Sequence, residues 1–174
     1  DAERFLVPVL AKQQGVDLDE LGISVCSVSG TNFEPYLILL GPEGLDMPVA
    51  ALTDMDPRPS KEDGTEREPL GPKRAVNHML VHLVDEATWD AHDFDGLLAL
   101  APEYGVLMNG HTFEVDLFQS GLQEAFAEAM DDLGRSARAR ERMKGWAEDP
   151  DTLDIQTFLT DIENVGKGRF AQRL

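Results

Sequence analysis

The chain of 174 residues has little cysteine, no long apolar run and few positive charges. Its single cysteine, Cys26, excludes an internal disulfide framework and fits a reducing compartment. No apolar run approaches the roughly 20 residues that a transmembrane helix needs, so we expect a cytoplasmic protein without a membrane partner. Asp and Glu number 33 against 15 Lys and Arg, and the net charge of −18 normally argues against a nucleic-acid partner.

The few positive charges are unevenly distributed along the chain. Residues 135–174 contain 8 of the 15 Lys and Arg and 7 of the 33 acidic residues, so this segment carries +1 and residues 1–134 carry −19. Such asymmetry allows a local basic surface on an acidic protein. The alternative for the run 135–144 is a solvated helix face. The eight basic residues are Arg135, Arg138, Arg140, Arg142, Lys144, Lys167, Arg169 and Arg173.

Strand-like and helix-like segments alternate over the first two-thirds of the chain, and the last third is helical in pattern. This order predicts an α/β fold with a mostly parallel sheet flanked by helices, and a helical appendage in the last third. We expect an α/β core at 1–118, a helical subdomain at 119–165 and a C-terminal segment at 166–174 that returns to the core. The predicted helices cover 3–14, 32–40, 73–87 and most of the chain from about 119, the predicted strands 22–28, 47–53 and 103–109, and a mobile loop 57–73.

The stretch LTDMDPRP (52–59) places two acidic residues at the end of the second predicted strand. Functional groups of an open parallel sheet gather at the carboxyl ends of its strands. If the chain stays extended through residue 56, Asp54 and Asp56 point the same way, with Met55 opposite. Three interpretations are open: a solvated strand exit with turn-capping aspartates, a site for a hard divalent cation, and the phosphoacceptor of a receiver-like domain.

Several short motifs, in the same order as in a known family, carry a resemblance to that family. The segment from DAERFLVPVL to VAALTDMD resembles the Toprim domain of the overcoming lysogenization defect (OLD) family of nucleases. HTFEVDL (111–117) resembles that family's Thr-Leu-Glu-x-Asp-Leu segment, and GKGRFAQRL (166–174) resembles its closing Lys-Gly-x-Phe-Ala-x-x-Leu. The family pattern opens with Glu-Gly-x-x-Glu, continues with a Gly turn followed by Asn-Phe, and then has a strand that ends in Asp-x-Asp. The matching residues are Glu3 for the second Glu of the opening motif, Gly30, Asn32 and Phe33 for the turn, and Asp54 with Asp56 for the acidic pair.

The resemblance implies a metal-dependent DNA endonuclease. Two divalent cations, Mg²⁺ or Mn²⁺, would clamp the attacking and leaving oxygens of a phosphodiester, and Lys167 would stabilise charge in the transition state. Asp116 shares a face with Glu114 if that segment is extended, so either carboxylate is a candidate. The implied metal ligands are Glu3, Asp54, Asp56 and Glu114.

The resemblance also implies partners. OLD proteins typically join an amino-terminal ABC-type ATPase to this nuclease domain, and a homo-oligomer of the full-length protein is compatible with that arrangement. Because the chain begins at Asp1 and not with Met, we expect a longer protein, in which the first Glu and the Gly of the opening motif precede Asp1. The alternative is a non-cleaving, receiver-like module that binds metal or a phosphoryl group and controls a neighbouring domain.

The remaining candidates have simpler explanations. His78 and His82 are four residues apart, but the HMLVH stretch lacks the Glu of a zinc protease. We expect both to be ordinary, partly exposed helix residues. We expect Cys26, in the middle of the predicted strand 22–28, to be buried and inert.

Overall fold

The computed structural model describes residues 2–28, 30–61, 63–134 and 136–174. The chain folds into two compact units: unit 1 consists of Asp1–Ser27 and Phe113–Leu174, and unit 2 of Val28–Thr112. The units therefore follow boundaries different from the predicted ones after residues 118 and 165. The physical reason is that the first helix of the chain packs on helices from its end, so the two ends form one unit. Arg135, counted in the basic segment, lies outside the described residues.

Unit 1 is helical over its described residues. The predicted helical character of the last third is confirmed, and the helix predicted at 3–14 begins one residue earlier. Two helices start at a side-chain cap, since Ser136 accepts from the N–H of Ala139 and Asp154 accepts from the N–H of Thr157. The helices are α1 (Ala2–Gln13), α6 (Phe113–Leu117, widening into a π-helical turn at Phe118–Leu122), α7 (Gln123–Leu133), α8 (Ala137–Glu148), α9 (Ile155–Val165) and α10 (Lys167–Ala171), with a 3-10 turn at Pro150–Thr152.

The core of unit 1 is a cluster of aromatic rings. Phe118, Phe126, Phe158 and Phe170 are fully buried, and Trp146 packs edge-on against Phe158. The ring centroids of neighbouring pairs lie 5.1–6.2 Å apart, within the range in which aromatic pairs attract one another beyond simple burial. These rings come from α7, α8, α9, α10 and the π-helical turn, so the cluster joins the C-terminal helices to one another.

Unit 2 contains a small parallel sheet covered by short helices. β1 (Ala51–Thr53) pairs in parallel with β2 (Val106–Met108), with Ala51 opposite Val106. Gly105 turns into β2 with a φ of 74°, and a Cβ there would lie 2.7 Å from the carbonyl oxygen of Val49. The helices are α2 (Glu34–Leu40), α3 (Gly71–Arg74, continuing as a π-helical turn at Ala75–Met79 and a 3-10 turn at Leu80–His82), α4 (Glu86–Ala91) and α5 (Phe94–Leu100, followed by a 3-10 turn at Ala101–Tyr104).

The predicted α/β class with a parallel sheet is confirmed, although individual segments differ. The strands predicted at 47–53 and 103–109 are shorter, and the predicted helix 73–87 ends at His82. Residues 22–28 are not a strand, because in the described part of the chain no strand pairs with them. Cys26 is consequently exposed, not buried. No helix within the described residues is long and apolar enough to span a bilayer.

The segment 111–118 also differs from the extended form considered above. Residues 113–117 form α6, whose turn buries Phe113, Glu114 and Val115. Since a helix turns by about 100° per residue, Glu114 and Asp116 do not share a face by alternation. The structure buries Glu114 and leaves Asp116 half exposed.

Candidate functional site

In unit 2, polar residues follow directly after both strands of the sheet. Asp54 follows β1 and Asn109 follows β2, and the parallel pairing brings both strand ends to one edge. The Asn109 N–H donates to the carbonyl of Thr53 (2.9 Å), and the Asn109 side-chain amide donates to Oδ1 of Asp54 (2.8 Å). The neighbouring strand therefore fixes the first carboxylate of the acidic pair.

The second carboxylate is held by a guanidinium. Arg74 donates through one nitrogen to Oδ2 of Asp56 (2.5 Å) and through another to Oγ1 of buried Thr53 (2.7 Å). The Arg74 side chain is only 11% exposed, and such charge-assisted bonds are stronger than neutral ones. Arg74 therefore places a positive charge beside Asp56, the second of two acidic residues that are separated by Met55.

The backbone at the acidic pair is not extended to its end. Asp56 has a φ of 48°, a left-handed conformation that Asp tolerates better than most residues. The condition for both carboxylates to point the same way by alternation is therefore not met. Gly71 donates to the carbonyl of Met55 (2.9 Å) and Leu70 to that of Asp56 (3.2 Å). A Cβ on Gly71 would lie 2.7 Å from Cα of Met55 and would also clash with the carbonyl oxygen of Asp54.

In unit 1, one buried carboxylate faces a lysine. Glu114, in α6, is 5% exposed, and Lys167, the first residue of α10, places Nζ 3.6 Å from its Oε1. This distance is longer than a hydrogen bond but close enough for strong charge attraction. Glu3 lies in the first turn of α1, half buried, in the same unit.

The structure thus brings the predicted residues together in two groups, each within its own unit. Asp54 and Asp56 form one group with Asn109 and Arg74, and Glu114 forms the other with Lys167. Among residues 2–28, 30–61, 63–134 and 136–174, no set of three or more His, Cys, Asp or Glu side chains has an arrangement that could hold a metal ion.

Comparison with known proteins identifies the family. The chain matches the sequence model of the overcoming lysogenization defect protein-like, TOPRIM domain over residues 1–56, a match that ends at the second residue of the acidic pair. The C-terminal region of the Burkholderia pseudomallei OLD protein is 44% identical, with a TM-score of 0.85 over 99% of this chain and 81% of that one. The chain belongs to the OLD family. No curated protein is similar enough to count as a relative.

A second solved structure supports the same assignment. The C-terminal region of the Xanthomonas campestris pv. campestris OLD protein, phased with mercury, is 41% identical, with a TM-score of 0.78 over 99% of this chain and 79% of that one. The resemblance noted in the sequence and the predicted Toprim-like α/β fold are both confirmed. Toprim domains are in general metal-dependent nuclease or primase folds, and they generally bind divalent metals.

The donor groups of the OLD chain fit a hard divalent cation in chemical type. Carboxylate oxygens are the ligands that Mg²⁺ and Mn²⁺ prefer. Burial of a charged carboxylate such as that of Glu114 is costly unless a cation lies nearby, and the approach of Lys167 to 3.6 Å meets part of this need. At Asp56, the guanidinium of Arg74 is the nearby positive charge. The candidate ligands Glu3, Asp54, Asp56 and Glu114 thus have the donor type that such a cation prefers, while the described residues bring no three of them together.

Arg74 and Asn109 are residues of the site that the sequence did not predict. Asn109 has a recognisable signal, because it ends the strand VLMN just as Asp54 ends the strand VAALTD. Arg74 has none, since it lies 18 residues from Asp56 in a segment that reads as a helix. Only the packing of α3 on the end of β1, through Gly71, brings it there.

Part of the predicted basic segment is neutralised within unit 1. Arg142 donates to both oxygens of Asp161 (2.7–3.0 Å), and Asp161 is buried. Lys144 pairs with Asp131 (2.7 Å), and Arg173 pairs with Asp132. These cations stabilise the helices of unit 1 and are poorly available to an external phosphate.

The histidines form no metal site in the described part of the chain. His78 is exposed, and His82 is half buried with Nε2 3.9 Å from Oε1 of Glu34. His92 Nδ1 lies 2.9 Å from the carbonyl oxygen of Thr88, and His111 Nδ1 accepts from the N–H of Thr112 (2.9 Å). The ordinary, partly exposed character predicted for His78 and His82 agrees with these positions.

Proposed function

We propose that this OLD-family chain is the nuclease region of an ATPase–nuclease protein and hydrolyses DNA phosphodiesters with Mg²⁺ or Mn²⁺. The observation that carries the proposal is the end of β1: Asp54 and Asp56 complete the family match and lie where α/β sheets bind their ligands. Asn109 and Arg74 hold these two carboxylates from different elements. Such bracing is what a site needs when its donors must keep their positions during a reaction.

Each candidate residue has a chemical role in this proposal. Asp54 and Asp56 in unit 2 are candidate metal ligands, and Glu3 and Glu114 are candidate metal ligands in unit 1. Divalent cations held by these carboxylates would supply the positive charge that activates a water molecule and stabilises the leaving oxygen. Lys167, which already faces Glu114, adds positive charge that favours the phosphate in its transition state.

Arg74 acts as a positioning residue for the acidic pair. It anchors Asp56 to Thr53 of β1 and balances the repulsion between the two carboxylates.

A plasmid assay tests the proposed function. The chain is incubated with supercoiled plasmid in Mg²⁺, Mn²⁺, Ca²⁺ or EDTA, alongside Asp54→Ala, Glu3→Ala and Lys167→Ala. We expect nicking or linearisation in Mg²⁺ or Mn²⁺, and a loss of about 100-fold or more in each variant. The matched controls are Glu43→Ala in unit 2 and Glu141→Ala in unit 1, two exposed carboxylates that should leave cleavage intact. Full activity in Asp54→Ala would reject the site.

The same assay, with one addition, addresses the receiver-like alternative. Labelling of Asp54 by a small phosphodonor, without any cleavage of plasmid, would favour that alternative over the nuclease. The family membership favours the nuclease, since the matched family has a Toprim domain. The ATPase partner is a further part of the proposal, tested by whether the full-length protein couples ATP hydrolysis to DNA cleavage. The cytoplasmic location is also part of the proposal, tested by cell fractionation.

A further inference from the structure

A cleft of about 490 Å³ in unit 2 has positive side chains at four of its eight lining residues. It is formed within the loop that follows the acidic pair, which the sequence predicts to be mobile and without regular structure. Two carboxylates, Glu66 and Glu68, also line it. The four cations around the cleft are Arg58, Lys61, Arg67 and Lys73.

No other part of unit 2 has such a concentration of Lys and Arg in its sequence. Residues 28–112 contain only five Lys and Arg against 15 acidic residues, and all five fall between positions 58 and 74. Four line the cleft, and the fifth, Arg74, holds Asp56. All Lys and Arg of unit 2 therefore lie in one short segment. This local positive charge attracts anions although the net charge of the unit is negative.

The backbone of the loop brings like charges together. Arg58 and Arg67 pair across an isolated antiparallel bridge, an arrangement that is unfavourable for two cations. The turn beyond them is closed by Lys61 donating to the carbonyl of Thr65 (2.8 Å) and by Asp63 accepting from the N–H of Thr65 (2.9 Å). The bridge and the turn thus hold the cations in place against their mutual repulsion, which an anionic ligand would relieve.

Most of these cations lack a carboxylate of their own. Lys73 pairs with Glu68 at 2.7 Å, and this pair lowers the pKa of the Glu68 carboxyl. For Arg58, Lys61 and Arg67, the described residues provide no ion-pair partner. This differs from unit 1, where Arg142, Lys144 and Arg173 each face an acidic side chain.

One lining residue of the cleft contacts the backbone of Asp56. Leu70, which lines the cleft, donates its N–H to the carbonyl of Asp56 (3.2 Å), and the next residue, Gly71, donates to Met55 (2.9 Å). A ligand in the cleft therefore lies beside the strand end that carries Asp54 and Asp56. This proximity favours a phosphate chain that also reaches the acidic pair over an unrelated acidic ligand.

We propose that the cleft formed by Arg58, Lys61, Arg67 and Lys73 binds the phosphate backbone of a nucleic-acid strand beside the Asp54–Asp56 site. The cleft contacts phosphates and not base edges, so it holds the strand without reading its sequence. The inference rests on the proposed nuclease function for the identity of the strand, although binding can be measured without cleavage.

Fluorescence anisotropy of labelled DNA in EDTA tests the cleft. Single-stranded and duplex DNA of several sequences are titrated with the full chain over a range of NaCl concentrations. For Arg58→Gln with Arg67→Gln, we expect weaker binding to every sequence. The slope of log affinity against log salt should fall by about 1 for each phosphate that the protein no longer neutralises, so by about 2 for the double variant. Lys61→Gln with Lys73→Gln should behave in the same way.

Two further variants separate the cleft from total charge. Glu66→Gln with Glu68→Gln removes negative charge from the cleft and should tighten binding. Arg138→Gln with Arg169→Gln removes two exposed cations of unit 1 and should leave the salt slope unchanged. Equal slopes for wild type and both cleft variants, or a fall only in the unit 1 variant, would overturn the inference. Circular dichroism of each variant confirms that it is folded.

The two proposals fail in different ways. Metal-dependent cleavage that Asp54→Ala abolishes, with binding indifferent to the cleft variants, would overturn the cleft and retain the nuclease. Cleft-dependent binding with no cleavage in any metal would uphold the cleft and overturn the nuclease.

Discussion

In unit 1, Arg142, Lys144 and Arg173 each lie beside a carboxylate of a neighbouring helix, whereas in unit 2 Arg58 and Arg67 lie opposite each other on one cleft. The ion pairs of unit 1 connect neighbouring helices, whereas the two arginines of unit 2 remain available to an external group. The comparison shows that the number of positive charges in a segment does not reveal how many of them are available for binding. What matters is whether the fold has already neutralised them.

The two units also differ in their cores. Unit 1 is filled by aromatic rings, while unit 2 is filled by aliphatic side chains around a two-stranded sheet. Aromatic side chains bury more area each, so a few of them can hold the helices of unit 1. In unit 2 the core supports the strand ends that carry the acidic pair, and a small change near those ends should affect the site more than the stability of the unit.

Truncating the centre of the aromatic cluster should give the largest effect on stability. Phe158 is fully buried and its ring contacts those of Phe118, Phe126 and Trp146. We expect Phe158→Ala to lower the free energy of unfolding by about 3–5 kcal/mol, measured by denaturant unfolding. The matched control is Phe94→Ala in unit 2, where the ring is 38% exposed and the loss should be about 1 kcal/mol or less. Equal losses would contradict the assignment of the main core to the cluster.

Removing a charge partner should have opposite consequences in the two units. Asp161→Ala leaves Arg142 without its partner and should destabilise unit 1 by about 2–3 kcal/mol, at the low end for buried pairs because Arg142 is partly exposed. Arg58→Gln with Arg67→Gln should leave stability unchanged or slightly higher, since it relieves repulsion. Thermal unfolding of both variants measures these changes in stability. A large loss in the unit 2 variant would mean that its cations are structural, as in unit 1.

Glycine to alanine substitutions in the two units should have opposite effects on the free energy of unfolding. At Gly71 a Cβ would clash with the backbone of Asp54 and Met55, so Gly71→Ala should cost about 1–2 kcal/mol and reduce plasmid cleavage by displacing the acidic pair. At Gly145, inside α8, a Cβ meets nothing within 4 Å, so Gly145→Ala should stabilise by about 0.5–1 kcal/mol. Denaturant unfolding and the plasmid assay measure both effects. Unimpaired cleavage in Gly71→Ala would argue against a role for this close packing.

Helix caps should give the smallest and most similar effects. The N–H of Thr157 donates to Asp154 in unit 1 and that of Thr88 donates to Asp85 in unit 2, and each hydrogen bond lowers the pKa of its carboxyl. A depressed pKa in the folded state contributes stability above the unfolded value, near pH 4, and loses it as the pH falls through the folded value.

Asparagine keeps the cap without the titration. Asp154→Asn and Asp85→Asn should therefore each reduce the acid dependence of the unfolding midpoint between about pH 6 and about pH 3. Measurement of the midpoint across this range checks the expectation. An acid dependence equal to that of wild type in both variants would show that other carboxylates control acid unfolding.

The sequence predicted the parts of the fold that depend on neighbours along the chain. α1 and the helical last third follow from periodicity, and the strand that leads to Asp54 follows from a continuous apolar run. Periodicity failed for 22–28, because an alternating pattern specifies which face of a strand is buried but not whether another strand is present to pair with it. It failed again at Asp56, where a left-handed turn interrupts the extended chain.

For the site, the sequence by itself determined the types of donor and their order, from Glu3 through the acidic pair and Glu114 to Lys167. It could not determine their contacts. Asn109 reaches Asp54 across 55 residues and Arg74 reaches Asp56 across 18, and the cations of the 58–74 segment become a cleft only when Arg58 and Arg67 pair. Local patterns report on residues within a turn or a strand of one another, whereas these contacts are selected by how β1, β2 and α3 pack. The tertiary structure alone therefore decided which of these charges pair with one another.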